Sequence, residues 1–174
     1  MDLESQLLKS SLLCGLIPGG KSAHRLQLFF VANNELGSSN HENDFQRALE
    51  TSVDIKKYWE NWPNKWSGEY RITQKGYERA LTLFGQIKPI YSPRSKDDCN
   101  FSLEGYIEQT KVLIRTLGGE SDIFLNGQLC KSAKEACRQL EKHLGIPILT
   151  IGGSAVRDLR NYAIDNKFEM HWES

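Results

Sequence analysis

The sequence predicts an α+β protein built as two small domains. Three observations carry this expectation. Apolar residues at helical spacing, cut by Gly and Pro, fill the first half; a polar stretch containing Pro89 and Pro93 interrupts the chain near residue 90; and an Asn-Gly turn between apolar runs precedes two capped helices in the second half. With 174 residues, 39% of them hydrophobic and 25% charged, there is enough apolar material for real cores, which sets disorder and fibres aside.

Leu3, Leu7, Leu8, Leu12 and Leu13 predict a first helix that stops at Gly15 and the Pro18-Gly19-Gly20 break. Ser22 stands where it would cap a second helix, apolar on several sides through Leu26, Leu28, Phe29, Phe30 and Val31, and ending near Asn33, Asn34 and Gly37. After a polar loop, Phe45, Leu49, Val53 and Ile55 predict a third helix from Asp44 towards Tyr58 and Trp59, with room for a break before Pro63. Residues 65–72 read as a turn and a short strand, and Thr73 caps a fourth helix through Tyr77, Ala80, Leu81 and Phe84 to Gly85.

These elements define a domain over residues 1–88, with 89–98 as an exposed linker and 99–174 as a second, small α+β domain. Its opening stretch, Leu103 to Leu117, suits a helix or a strand, and helix is the reading taken. Asp122 to Leu125, Asn126-Gly127 and Gln128 to Cys130 predict a hairpin, because Asn-Gly tolerates the positive φ angles of a type I′ turn. Ser132 and Glu135 form a capping box for a helix through Ala136, Cys137, Leu140 and Leu144. Ile146 to Ile151 reads as extended, and Ser154 caps a last helix through Val156, Leu159, Tyr162 and Ile164.

Charge and cysteine usage bound the function. The 22 basic and 22 acidic residues cancel, so any grip on phosphate has to come from a local cluster rather than from the whole chain. Cys14, Cys99, Cys130 and Cys137 lack the short paired spacing of a zinc site or disulfide scaffold, which suggests a reducing, cytoplasmic setting. Neither a basic leader nor a run of about 20 apolar residues is present, so no membrane is expected. His24, His41, His143 and His171 lie far apart, and neither a metal nor a cofactor is expected.

The phrase Gly68-Glu69-Tyr70-Arg71-Ile72-Thr73-Gln74-Lys75-Gly76-Tyr77 resembles the winged-helix superfamily, in which a wing strand ending in Ile-Thr-x-Lys-Gly runs into a closing helix. The resemblance spans residues 1–88 and implies a winged helix-turn-helix. Its third helix, residues 44–61, would enter the major groove of double-stranded DNA, and its wing, residues 63–70, would touch backbone. Candidate contacts are then Arg47, Lys56, Lys57, Lys65, Arg71 and Lys75, since only Lys and Arg supply charged donors to phosphate. Trp59, Trp62, Trp66, Tyr58 and Tyr70 could stack on bases, but filling a small core is the favoured role.

The phrase from Phe124 to Cys137 is similar to short modules found beside homing endonucleases, where a hairpin precedes a helix that helps to hold DNA. Residues 131–167 carry seven bases against four acids, and Lys131, Lys134, Arg138, Arg157 and Arg160 are the candidates there. Solvated outer helix faces would show the same pattern. The leading expectation is a DNA-binding protein, a transcription regulator or recognition subunit, with a basic second module.

Two enzymatic rivals are weaker. Gly15 to Ser22 matches the P-loop string, but the residues before it read as helix rather than strand. Asp44 with Asp54-Ile55-Lys56 imitates a magnesium nuclease set, as does Asp165-Asn166-Lys167, but these stretches have helical periodicity. A third rival is a protein-interaction adaptor with a protein partner or a second copy, which balanced charge suits.

Overall fold

The computed structural model describes residues 1–173 and shows an α+β chain. Its contacts divide into two compact units, residues 1–99 and 100–174.

The first unit runs α1 (Leu3–Leu13), β1 (Ala23–His24), α2 (Arg25–Asn34), α3 (Glu42–Asp54), β2 (Trp59–Asn61), β3 (Glu69–Ile72) and α4 (Gln74–Phe84). The strands form an antiparallel sheet in the order β1-β3-β2. Asp2 caps α1 by accepting from Ser5 N at 2.8 Å. Ser22 does not cap α2: His24 does, its Nδ1 accepting from Leu26 N at 3.2 Å, while the Ser22 hydroxyl donates to Glu69 Oε1. Thr73 caps α4 as expected, accepting from Gly76 N at 3.0 Å.

The third helix is shorter than its periodicity implied. It ends at Asp54, Lys57 turns the chain with φ 60°, and Trp59 begins a strand. Trp59 is only 1% exposed and joins Leu7, Leu8, Phe29, Phe30 and Phe45 in the core, with Phe29 and Phe45 edge to face at 5.7 Å. Burial of that size outweighs the continuation of an exposed helical turn.

Gly76 shows why glycine follows the Ile-Thr-x-Lys step. A Cβ there would lie 2.1 Å from the Tyr58 carbonyl oxygen, a backbone atom that also accepts from Thr73 N. Gly76→Ala is expected to destabilise the first unit by about 3 kcal/mol, the size of a core overpacking that cannot relax. Thermal unfolding followed by backbone amide spectra would show loss of the first unit's cooperativity with the second unit's signals retained.

Residues 89–98 are mostly exposed, as expected of a linker, and their backbone also forms a strap across the first unit. Ile90 N and Tyr91 N both donate to Leu13 O at 3.0 Å, Gln27 Nε2 donates to Ser92 O at 2.8 Å, and Arg94 N donates back to Gln27 Oε1 at 2.8 Å. His24 N donates to Arg94 O at 2.9 Å, so the strap satisfies the free edge of β1. Gln27, fully buried in an apolar helix, is placed there by this pairing.

The second unit comprises β4 (Phe101–Ile107), β5 (Thr110–Leu117), β6 (Glu120–Leu125), β7 (Gln128–Leu129), α5 (Ala133–Leu144), α6 (Ala155–Asp165) and β8 (Glu169–Trp172). Residues 103–117 are therefore two strands and not a helix. The sheet is antiparallel in the order β7-β6-β5-β4-β8. In β5, Thr110, Val112, Ile114 and Thr116 are buried and alternate with Lys111, Leu113, Arg115 and Leu117, which are exposed or half-buried; this is a period of two, not 3.6. The Asn126-Gly127 turn is present, with φ of 49° and 82°.

Ser132 and Ser154 cap α5 and α6 as expected. The stretch Ile146 to Ile151 is a loop, not a strand, and it is pinned by acids: Glu141 accepts from Ile148 N and Leu149 N at 2.8 and 2.9 Å, and Asp158 from Thr150 N at 2.8 Å. Those backbone donors hold the Glu141 carboxyl below its ordinary 4.5.

Burial divides the cysteines. Cys14, Cys99 and Cys137 are fully enclosed, and desolvation pushes each thiol up to about 12, whereas Cys130 is half-buried with its thiol raised less. A thiol reagent at neutral pH is expected to modify Cys130 alone in the native protein and all four cysteines after unfolding, read by intact mass.

Candidate nucleic-acid interface

In the first unit the expected cations of the β2–β3 hairpin lie at its two ends and between them. The register Trp59 to Ile72, Glu60 to Arg71 and Asn61 to Tyr70 sets the β2–β3 loop, residues 62–68, at one end of the hairpin and the Lys57-Tyr58 and Thr73-Gln74-Lys75 segments at the other. Lys56, Lys57 and Lys75 belong to that second end. Lys56 pairs with Glu4 at 3.7 Å, the Lys57 carbonyl accepts from the Thr73 hydroxyl, and Lys75 lies over the Tyr58 ring at 5.5 Å. Lys65 is in the loop, 5.2 Å above the Trp66 ring, and Trp66 is 85% exposed. Arg71 lies between the ends, its guanidinium 4.1 Å over Trp62 and 3.6 Å from Glu60.

The aromatics divide as well. Trp59 and Tyr70 are core, as favoured, but Trp62 and Trp66 stand out in solvent on the loop.

The helix expected to read the groove carries the wrong sign for it. Glu42, Asp44, Glu50 and Asp54 face a single base, Arg47, which is already paired with Asp44 at 2.9 Å. Glu42 is buried against Arg25 at 3.3 Å, but Asp44, Glu50 and Asp54 are exposed. A phosphate backbone laid along this face would meet three carboxylates. Between α3 and the loop lies an open cleft of about 630 Å³, bounded by Gln46, Glu50 and Asp54 on one side and Asn61, Lys65 and Trp66 on the other. Arg25 and Tyr70 also line it, and Arg25, distant in sequence, meets the others only through folding.

The second unit sorts its charge better. Lys134 and Arg138 project from the exposed side of α5, and Lys142 continues the same four-residue step, so the three form one stripe about 12 Å long at the helical rise. Lys131, also exposed, lies just before the cap. The two acids of α5, Glu135 and Glu141, are both half-buried, and Glu141 is turned to the 146–151 loop. Among the described residues none of these four cations is in an ion pair. Lys142 is absent from the sequence-based candidates, although its four-residue spacing from Arg138 marks it in the sequence.

Arg157 and Arg160 do not extend this stripe. Arg157 is half-buried in the first turn of α6. Arg160 is 4% exposed and donates to Thr116 Oγ1 at 3.1 Å and Ser121 Oγ at 2.7 Å, with Phe101 5.9 Å below its guanidinium. It is a structural arginine. Cations on the sheet's outer face are spent internally: Lys111 pairs with Glu104 at 2.9 Å and Arg115 with Glu173 at 3.3 Å.

The string Gly15 to Ser22 follows helix α1, so the strand that opens a phosphate-binding loop is missing, and Asp44 and Asp54 are both helical. Among the described residues no cluster of His, Cys, Asp or Glu is arranged to hold a metal, and no helix is long and apolar enough to cross a membrane. No family model, no curated protein and no solved structure matches the chain.

Proposed function

We propose that the chain is a DNA-binding protein whose main phosphate contacts come from α5 and whose first unit is a winged-helix module. The observation that carries this is the α5 stripe: three exposed cations at steps of four residues, flanked by the half-buried Glu135 and Glu141. Such a row matches a line of phosphates, although Arg138 is partly offset by the attraction of Glu141, three residues on. The order of helices and strands in the first unit, with β1 paired beside the β2–β3 hairpin, supports the winged-helix reading. In this reading α3 is not a major-groove helix, because its exposed carboxylates oppose it.

Titration of a duplex at two salt concentrations tests the proposal. Binding that weakens steeply with salt is expected, and no binding at low salt, or binding indifferent to salt, would remove it. The acidic face of α3 favours one second reading, a docking role for the first unit towards a basic protein partner. A partner that co-purifies and is displaced by Asp44→Lys, with no nucleic acid retained, would establish that role instead.

A further inference from the structure

The cleft between α3 and the β2–β3 loop combines features that a duplex surface would not need. Trp66, 85% exposed, lines it with the Lys65 ammonium over one side of its ring at 5.2 Å, and Glu50 and Asp54 also line it. Gln46 donates to Glu50 Oε1 at 3.3 Å, which fixes an amide next to a carboxylate, and Asn61 supplies a second amide across the cleft. We propose that this cleft takes a single unpaired nucleobase bearing an exocyclic amino group, so that the protein prefers duplexes with a single-stranded end or gap over continuous duplex. The inference rests on the DNA-binding reading above and names the substrate class within it.

Each part of the lining has a reason under this assignment. A base leaving its stack loses its neighbours, and an exposed indole replaces them with a sequence-tolerant aromatic face. Ionised carboxylates are acceptors only, so Glu50 and Asp54 suit the amino donors of cytosine N4 or adenine N6 and repel the carbonyl oxygens of thymine. Arg25 also lines the cleft but is paired with Glu42 at 3.3 Å, which leaves Glu50 and Asp54 to disfavour phosphate inside, while Lys65 can meet the backbone of the displaced nucleotide. A volume of about 630 Å³ admits a nucleotide and is far too small for a helix of duplex. Tyr70 contributes a protonated hydroxyl, its ionisation opposed by burial and by Glu50.

The test uses the full chain and three probes: a blunt duplex, the same duplex with a short cytosine overhang, and the same with a thymine overhang. The cytosine overhang is expected to tighten binding about tenfold over blunt, the scale of one base stack, with quenching of tryptophan fluorescence, and the thymine overhang to gain less. Trp66→Ala should erase the gain from either overhang, so that the overhang and blunt probes bind that variant alike. The double variant E50A/D54A should erase the preference for cytosine over thymine. Trp66 is exposed enough that its variant folds. Equal binding of all three probes, or an overhang gain that survives Trp66→Ala, overturns the cleft assignment while leaving DNA binding by α5 intact. Failure to bind any probe at low salt overturns both.

Discussion

Replacing Lys134, Arg138 and Lys142 together by Gln is expected to lower affinity for blunt duplex DNA by about a hundredfold at about 0.1 M salt. Each lost cation removes one phosphate contact and the counterion release that goes with it, so the slope of log affinity against log salt should become shallower by about 3. Glutamine keeps helix propensity close to that of Lys and Arg, and the three positions are exposed, so α5 should stay folded with stability changed by less than about 0.5 kcal/mol. A matched control changes Lys111 and Arg115 to Gln. These already sit against Glu104 and Glu173, and their loss should leave the salt slope where it was. An unchanged slope in the triple variant would show that α5 faces solvent only.

Arg160→Ala is expected to cost the second unit about 3 kcal/mol and to leave the salt slope untouched. The side chain is enclosed, donates to two hydroxyls on β5 and β6, and lies over Phe101 on β4. Truncation therefore removes buried charge-assisted hydrogen bonds and opens a void in the same stroke. Thr116 and Ser121 keep each other at 2.8 Å, so their hydroxyls are not both orphaned, which holds the loss below that of an uncompensated buried charge. Denaturant unfolding monitored at β5 would measure it. A stable variant with a reduced salt slope would instead return Arg160 to the interface.

Local signals carried the helices and turns. Caps at Thr73, Ser132 and Ser154, the stop at Gly85 and the Asn126-Gly127 hairpin all depend on a few neighbouring residues, and all were legible. The errors came from long-range packing. Residues 103–117 hold enough apolar side chains to satisfy a helical stripe, and only pairing with β4 and β6 makes the alternation of β5 the one that counts. Trp59 is drawn into a strand by the core it completes, which ends α3 early.

The proposed interface was half legible for a similar reason. Lys134 and Arg138 are neighbours on a helix face at any time the helix exists. Arg160 has the same charge and lies on the next helix, but whether it turns outward depends on Thr116 and Ser121, distant in sequence. The cleft was invisible, since Gln46, Asn61 and Trp66 meet only when the hairpin folds back beside α3.

The strap over α1, β1 and α2 has a practical corollary. A shortened polypeptide ending at residue 88 would leave Gln27 with a bare amide in an oily interior and the Leu13 carbonyl without its donors, and it would strip the rim from Phe30, whose ring meets Tyr91. Such a piece should precipitate or melt early. A version of the amino-terminal half that runs through Cys99 keeps all of these partners and is expected to outlast the shorter piece in thermal unfolding.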